Sequence, residues 1–376
     1  MRIGILTYHR AHNYGACLQA CALCSRLNQE AGIDAEIIDY RSEKEVKRYD
    51  FKAFSLKKKA YQMLHGTYFF NRKLNESFER AIGNPHMKLS RDSLVSDSIE
   101  AFTTFVDGKY DAIVVGSDEV WKVNSYRGFP TVYWLFGDLH CRKLSYAASA
   151  RVEFGNVLSE EDYGKVQRAL ADFEYIGVRD EFTLREAVRA TNTPGKVHLC
   201  CDPSFVFDFD IPASDVMERI SAKKGFRPGL KTVMVMLDNE EAAQYVRHSL
   251  GEKYNLICVF EPHKGYIQCP ELDPFEWLSL IRGADFVIAS FFHAICFSII
   301  NNRPFLAVGT KGKKSKLTEL LGTPELMRRY VEIGDRPNLP GLVGDILAMD
   351  NRFDDYVDRQ RGTFDSFLVQ LKTGIR

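Results

Sequence analysis

The stretch IGILTYHRAHNYGACLQACALC, Ile3–Cys24, sets the fold class. Its first part, IGILTY (Ile3–Tyr8), is a short apolar run ahead of a polar turn. That length and the β-branched residues fit a buried strand. A helical stretch follows from about Gly15 to Ala31, with Asn13 in the capping position. AEIIDY (Ala35–Tyr40) reads as the next strand. Strand, helix and strand in succession make a βαβ unit, the opening of a parallel sheet.

The same stretch carries a rival reading. Cys17, Cys21 and Cys24 stand in a C-x3-C-x2-C spacing, the one with which radical S-adenosylmethionine enzymes hold an iron–sulfur cluster. At about 100° per residue the three fall within roughly 60° of arc on one helix face. Ala20, Leu23, Leu27 and Ala31 extend that apolar side. Thiolates stacked along a rigid helix are badly placed to wrap a compact cluster. No GGE-like element follows the second strand, where the sequence reads DYRSEKE. The cysteines are read as small buried hydrophobes that join the helix to the sheet.

Composition narrows the class further. Lys+Arg and Asp+Glu both number 50 in 376 residues, so no overall field draws the chain to nucleic acid. No apolar run reaches the roughly 18 residues of a membrane span. Nine scattered cysteines suit a reducing cytoplasm better than a disulfide framework. The expected location is cytoplasmic, extending to the inner face of the membrane. The reason for that extension is the segment 41–75, with ten Lys/Arg against three Asp/Glu and seven interleaved aromatics. It reads either as a patch for a membrane surface or lipid substrate, or as a plain basic helical insertion.

Further strands are read at DAIVVGS (Asp111–Ser117), KLSYAAS (Lys143–Ser149), YIGVRD (Tyr175–Asp180) and VHLCCDP (Val197–Pro203). A second α/β series then runs through TVMVML (Thr232–Leu237), NLICVF (Asn255–Phe260), DFVIAS (Asp285–Ser290) and PFLAVG (Pro304–Gly309). This predicts two α/β, Rossmann-like domains with a cleft between them. The first spans 1–205 with a helical basic insertion at about 41–105, and the second spans 206–350. A C-terminal helix at 351–376 is expected to pack back on the first domain.

Ligands in such folds sit beyond the carboxyl ends of the strands, so the residues there are the candidates. Asn13, Tyr14 and Gly15 open a helix whose amides can hold a phosphate or carboxylate, or merely cap it. Ser117 and Asp118 end the third strand, where a carboxylate can orient a sugar hydroxyl, act as a base or cap a helix. Arg179 offers a fork for an anion, or an ion pair with Asp180 or Glu181. Asp202 reads as a turn residue before Pro203. Ser290 ends a strand, and His293 follows at a helix start, where it can act as acid or base. Lys311 and Lys313 lie in a glycine- and lysine-rich loop that can screen an anionic substrate.

Taken in order, GILTYHRAHNYGACLQACAL, YDAIVVGSDEVW, KLSYAAS, GVRDEFT, CDPSF and ADFVIASFFHAICFSIINNRPFLAVG resemble the polysaccharide pyruvyl transferase family. The resemblance implies a glycosyltransferase-B-like fold. It implies transfer of pyruvate from phosphoenolpyruvate to a sugar of a surface polysaccharide or its lipid-linked precursor, closing a ketal. His293 would be the acid–base group and Arg179 would bind phosphate or carboxylate. Neither metal nor redox cofactor is required. The chain departs from several relatives at Phe291 and Phe292, where they carry an arginine just before the histidine. The competing functions are a nucleotide-sugar glycosyltransferase on the same fold and a non-catalytic glycan-binding relative.

Overall fold

The computed structural model describes residues 1–212, 214–309 and 314–373, and among these each strand runs parallel to its neighbours. The first sheet contains β1 (Arg2–Leu6), β2 (Asp34–Arg41), β3 (Leu89–Val95), β4 (Ala112–Val115), β5 (Arg142–Ala148), β6 (Tyr175–Val178) and β7 (Val197–Leu199). Their order is β3-β2-β1-β4-β5-β6-β7. The second sheet contains β8 (Thr232–Met236), β9 (Asn255–Cys258), β10 (Ile267–Gln268), β11 (Phe286–Ala289), β12 (Phe305–Gly309) and β13 (Tyr330–Glu332). Its order is β10-β9-β8-β11-β12-β13. Counted from its own first strand, each sheet follows the Rossmann order 3-2-1-4-5-6, the first with one strand more. The chain is therefore built from two Rossmann-like α/β domains.

The winding reverses direction between β1 and β4 in one sheet and between β8 and β11 in the other. These switch points open a crevice at the carboxyl ends, because the connections on either side leave in opposite directions.

Two compact units result. One takes Met1–Phe54, Ile82–Asp208 and the chain from Asp358 onward, and the other takes Ser55–Ala81 and Phe209–Val357. The basic segment is thus divided: its helices Leu56–Leu64 and Tyr68–Ala81 belong to the second unit. Within the supposed helical insertion, Leu89–Val95 is a strand, paired with β2. It went unread because LSRDSLV is charged at its centre and mostly exposed. Such a sequence suits an edge strand, which needs charge to discourage further pairing. The other two unread strands, β10 and β13, are also edges, only two and three residues long.

The central strands are apolar on both faces because helices cover both. Ile3, Ile5 and Leu6 of β1 and the whole of β4 are buried. Helix Tyr14–Asn28 is buried almost all round, more deeply than a one-sided apolar stripe suggests. Cys24 Sγ donates to the Ala35 carbonyl of β2 at 3.4 Å, and Cys21 Sγ lies 3.7 Å from Met87 Sδ. Burial pushes the Cys24 thiol up to about 12. In the first unit, Phe364 and Phe367 of the C-terminal helix pack on Tyr146 of β5, at ring distances of 5.2 and 4.8 Å.

Candidate functional site

In the first unit, residues just past β1 and β4 are tied together across the switch point. Thr7 Oγ1 donates to the Ser117 carbonyl at 3.0 Å, and Gln19 Nε2 donates to Thr7 Oγ1 at 3.1 Å. Asn13 caps helix Tyr14–Asn28 by accepting from the Ala16 amide at 3.2 Å. Tyr14 and Gly15 open this helix as buried residues. Ser117 and Asp118 face the same crevice from the β4 side, directly after Val115 and Gly116.

Asp118 has φ 79°, a left-handed conformation that costs a non-glycine residue about 1 kcal/mol or more. The turn is held by the Asp118 carbonyl, which accepts from the Ser149 amide at 3.0 Å and the Val120 amide at 2.7 Å. Its Oδ1 accepts from the Glu119 amide at 2.9 Å. These bonds fix the carboxylate at the end of a central strand.

Arg179 follows β6 and reaches across to the β4 end. Its Nη1 donates to Asp202 Oδ2 at 2.7 Å and to Ser117 Oγ at 3.2 Å, and Nη2 stands 3.8 Å from Asp118 Oδ1. The Arg179 and Asp202 side chains are only 6 % and 1 % exposed. Burial would lower the arginine's pKa, but Asp202 and Asp118 outweigh it and the net shift is upward. The guanidinium is therefore permanently charged and already neutralised by Asp202. Its contacts join Asp202, Ser117 and Asp118 at the end of β4. Asp202, read as a turn residue, also accepts from the Ser204 amide at 2.9 Å and from Ser117 Oγ at 3.2 Å. Asp180 is engaged by Ser149 Oγ at 2.6 Å and by Thr183.

Beside this network lies an aromatic shelf that sequence reading missed. It draws on the loop after β1, the helix Glu43–Tyr49 after β2 and the loop after β4. Tyr49 meets His12 at 5.7 Å and Tyr126 at 6.4 Å, and the Arg48 guanidinium lies 4.5 Å over Tyr126. Behind them, Arg127 stacks 3.6 Å over Tyr8 and pairs with Glu45 at 2.6 Å, both side chains buried. No spacing in the sequence links these residues; the sheet order alone brings the two loops and the helix together.

In the second unit, Ser290 Oγ donates to Asp238 Oδ1 at 3.0 Å, joining the ends of β11 and β8 across their switch point. His293 sits in the first turn of helix Phe292–Ile300 and is buried, with its ring edge-on to Phe292 at 5.3 Å. Phe291 occupies the N-cap position without a side-chain cap bond and packs on Phe260 at 5.4 Å. His263 is held by the Leu237 carbonyl at 3.1 Å and Glu240 at 2.5 Å. A helix start without a side-chain cap, next to an imidazole, can hold an anion and deliver a proton. Lys311 and Lys313 lie outside the described residues. Among the described residues, no group of three or more His, Cys, Asp or Glu is arranged to hold a metal ion.

Several solved structures share the fold. The UDP-GlcNAc 2-epimerase of Methanocaldococcus jannaschii superposes with a TM-score of 0.59 at 12 % identity, covering 100 % of both chains. A putative UDP-N-acetylglucosamine 2-epimerase from Listeria monocytogenes gives 0.55 at 9 % identity, over 99 % of this chain and 96 % of that one. The N-terminal domain of Candida albicans trehalose-6-phosphate phosphatase gives 0.53 at 11 %, over 100 % and 97 %. At such identities the likeness concerns the glycosyltransferase-B-like architecture alone. No match was found among curated proteins. Residues 13–312 match the family model described as polysaccharide pyruvyl transferase, a range that takes in Asn13, Ser117, Asp118, Arg179, Ser290 and His293. With most of its length inside that match, the chain belongs to the polysaccharide pyruvyl transferase family.

Proposed function

We propose that the protein transfers pyruvate from phosphoenolpyruvate to a sugar of a surface polysaccharide or its lipid-linked precursor, forming a ketal over two hydroxyls. The observation that carries this reading is His293, buried in the first helical turn at the second sheet's switch point, within the family match. His293 protonates the methylene carbon of phosphoenolpyruvate, and positive charge develops at the carbon bearing the phosphate. One sugar hydroxyl adds there and loses its proton. The phosphate departs with the electrons of its C–O bond, and a second hydroxyl adds, passes its proton to the released phosphate and closes the ketal. The products are the pyruvylated sugar and inorganic phosphate.

In this reading Ser290 and the amides at the start of helix Phe292–Ile300 bind the donor's anionic groups, with Lys311 and Lys313 as further cations. Phe291 and Phe292 leave no arginine at this helix start, so the lysines take over that role. Asp118 accepts a hydroxyl proton, and Ser117 and the turn Asn13, Tyr14 and Gly15 bind substrate. The shelf of Tyr126, Tyr49, His12 and Arg48 supports the acceptor: flat aromatic faces pack against the C–H faces of a sugar ring, and Arg48 suits an acidic one.

Phosphate release from phosphoenolpyruvate, measured against a panel of acceptor glycans, tests this. His293→Ala should lower turnover by about 10²–10⁴-fold. Unchanged ketal formation in that variant would remove His293 from the mechanism. The fold neighbours that are UDP-sugar epimerases keep a nucleotide-sugar glycosyltransferase as the second reading. Glycosyl transfer from a UDP-sugar, with no phosphate released from phosphoenolpyruvate, would establish it in place of the first.

A further inference from the structure

The helix Leu56–Leu64 is amphipathic in the wrong sense for a globular protein. At about 100° per residue, Met63, Leu56, Ala60, Leu64 and Tyr61 share an arc of roughly 160°, with Lys57 between Leu64 and Tyr61. That arc faces water: Leu56 is 86 % exposed, Leu64 82 %, Tyr61 63 % and Met63 59 %. Gln62, opposite the centre of the arc, is the buried residue. The next helix, Tyr68–Ala81, buries Phe70, Leu74 and Phe78 in the ordinary way yet leaves Phe69 72 % exposed. Isolated surface leucines need no explanation, but four large exposed apolar side chains gathered on one side of a short helix mark an interaction site.

We propose that this face docks on an anionic lipid surface. An apolar face alone would equally suit a second copy of the chain, and its charge decides between them. Residues 55–71 carry Lys57, Lys58 and Lys59 and no acidic residue, whereas Arg72 of the next helix is paired with Glu76 at 2.8 Å. This stands out in a chain whose total charge is zero. Self-association would bring two such clusters together, at a cost that grows as they are desolvated. Lys57, exposed within that arc, can lay its stem along the apolar side chains while its ammonium group reaches headgroup phosphates. Tyr61 and Phe69 are aromatics suited to interfacial depth. A nine-residue helix is too short to span a bilayer, so it lies in the interface plane. The inference is independent of the transfer chemistry, although it would carry the enzyme to a lipid-linked acceptor.

The test is co-sedimentation of the full-length protein with phosphatidylcholine vesicles carrying about one third phosphatidylglycerol, beside pure phosphatidylcholine vesicles. Binding should favour the anionic vesicles and weaken as salt is raised. Lys57→Glu should weaken it by about fivefold or more. The pair Leu56→Asp and Leu64→Asp should weaken it more than about tenfold, since each leucine brings on the order of 1.5–3 kcal/mol of apolar burial. Both leucines lie outside the core, and circular dichroism and urea midpoints verify that the variants stay folded. Three results would overturn the proposal: no binding to anionic vesicles, equal and salt-insensitive binding to neutral ones, or a dimer in sedimentation velocity that the leucine substitutions dissolve while vesicles go unbound. No donor or glycan is present, so the outcome does not depend on whether pyruvate is the group transferred.

Discussion

Asp202→Asn separates a structural from a catalytic role for the arginine after β6. In the native protein Asp202 uses both carboxylate oxygens: Oδ1 accepts from the Ser204 amide at 2.9 Å, and Oδ2 accepts from Arg179 at 2.7 Å and Ser117 at 3.2 Å. Asparagine keeps the shape but has one acceptor oxygen. Whichever way its amide turns, the NH₂ faces either the Ser204 N–H or the Arg179 guanidinium, a donor against a donor. The arginine is left 6 % exposed without its hydrogen-bonded carboxylate. Breaking one side of such a buried pair costs about 3–5 kcal/mol. Asp118, still 3.8 Å from Nη2, keeps the loss towards the lower end, about 3 kcal/mol. The assay is urea unfolding followed by tryptophan fluorescence in a Trp277→Phe background. The remaining reporters are Trp121 and Trp134, stacked 5.1 Å apart in the first unit. The double variant Arg179→Met, Asp202→Ala removes both charges and should recover part of the stability. It should remain inactive if Ser117 and Asp118 depend on Arg179 for their position. A loss below about 1 kcal/mol for Asp202→Asn would show that Arg179 does not depend on Asp202 for its counter-charge.

Asp39 supplies an acid-sensitive contribution. Burial would raise its pKa, but hydrogen bonds from His9 and Arg10 outweigh that and hold it well below its ordinary 3.8. A carboxyl depressed by folding stabilises the protein above its unfolded pKa and loses that contribution as pH falls towards the folded value. Asp39→Asn should therefore cost about 1.5–3 kcal/mol at pH 7, and the gap to wild type should narrow below about pH 4 in pH-dependent urea unfolding. Gly177→Ala places a Cβ 2.6 Å from the Ser145 carbonyl oxygen and should cost about 1–3 kcal/mol, whereas Gly155→Ala meets nothing within 4 Å and should change the unfolding midpoint little. Cys24, with a thiol pushed up to about 12 by burial, should resist alkylation at pH 8 until denaturant is added, as peptide mass spectrometry can follow; rapid labelling of the native protein would contradict the packing role of this helix face.

The sequence by itself determined the central strands, because a strand covered on both faces must be apolar throughout. IGILTY, AIVV and DFVIAS declare themselves in this way. It also placed Asn13, Ser117, Asp118, Ser290 and His293 at strand ends, since a polar residue following such a run marks where the chain leaves the sheet. The edge strands β3, β10 and β13 left no comparable signal. They are short or solvated, and their pairing is decided by the neighbour that accepts them. Only the tertiary structure gave Arg179 its carboxylate, because Asp202 follows a different strand, β7, and no local pattern relates the two. The aromatic shelf and the outward-turned leucines arose in the same way. Which loops meet is fixed by strand order, and which face of a helix is covered is fixed by what packs against it. Periodicity in the chain reports that a face is apolar, and packing alone decides whether that face is buried.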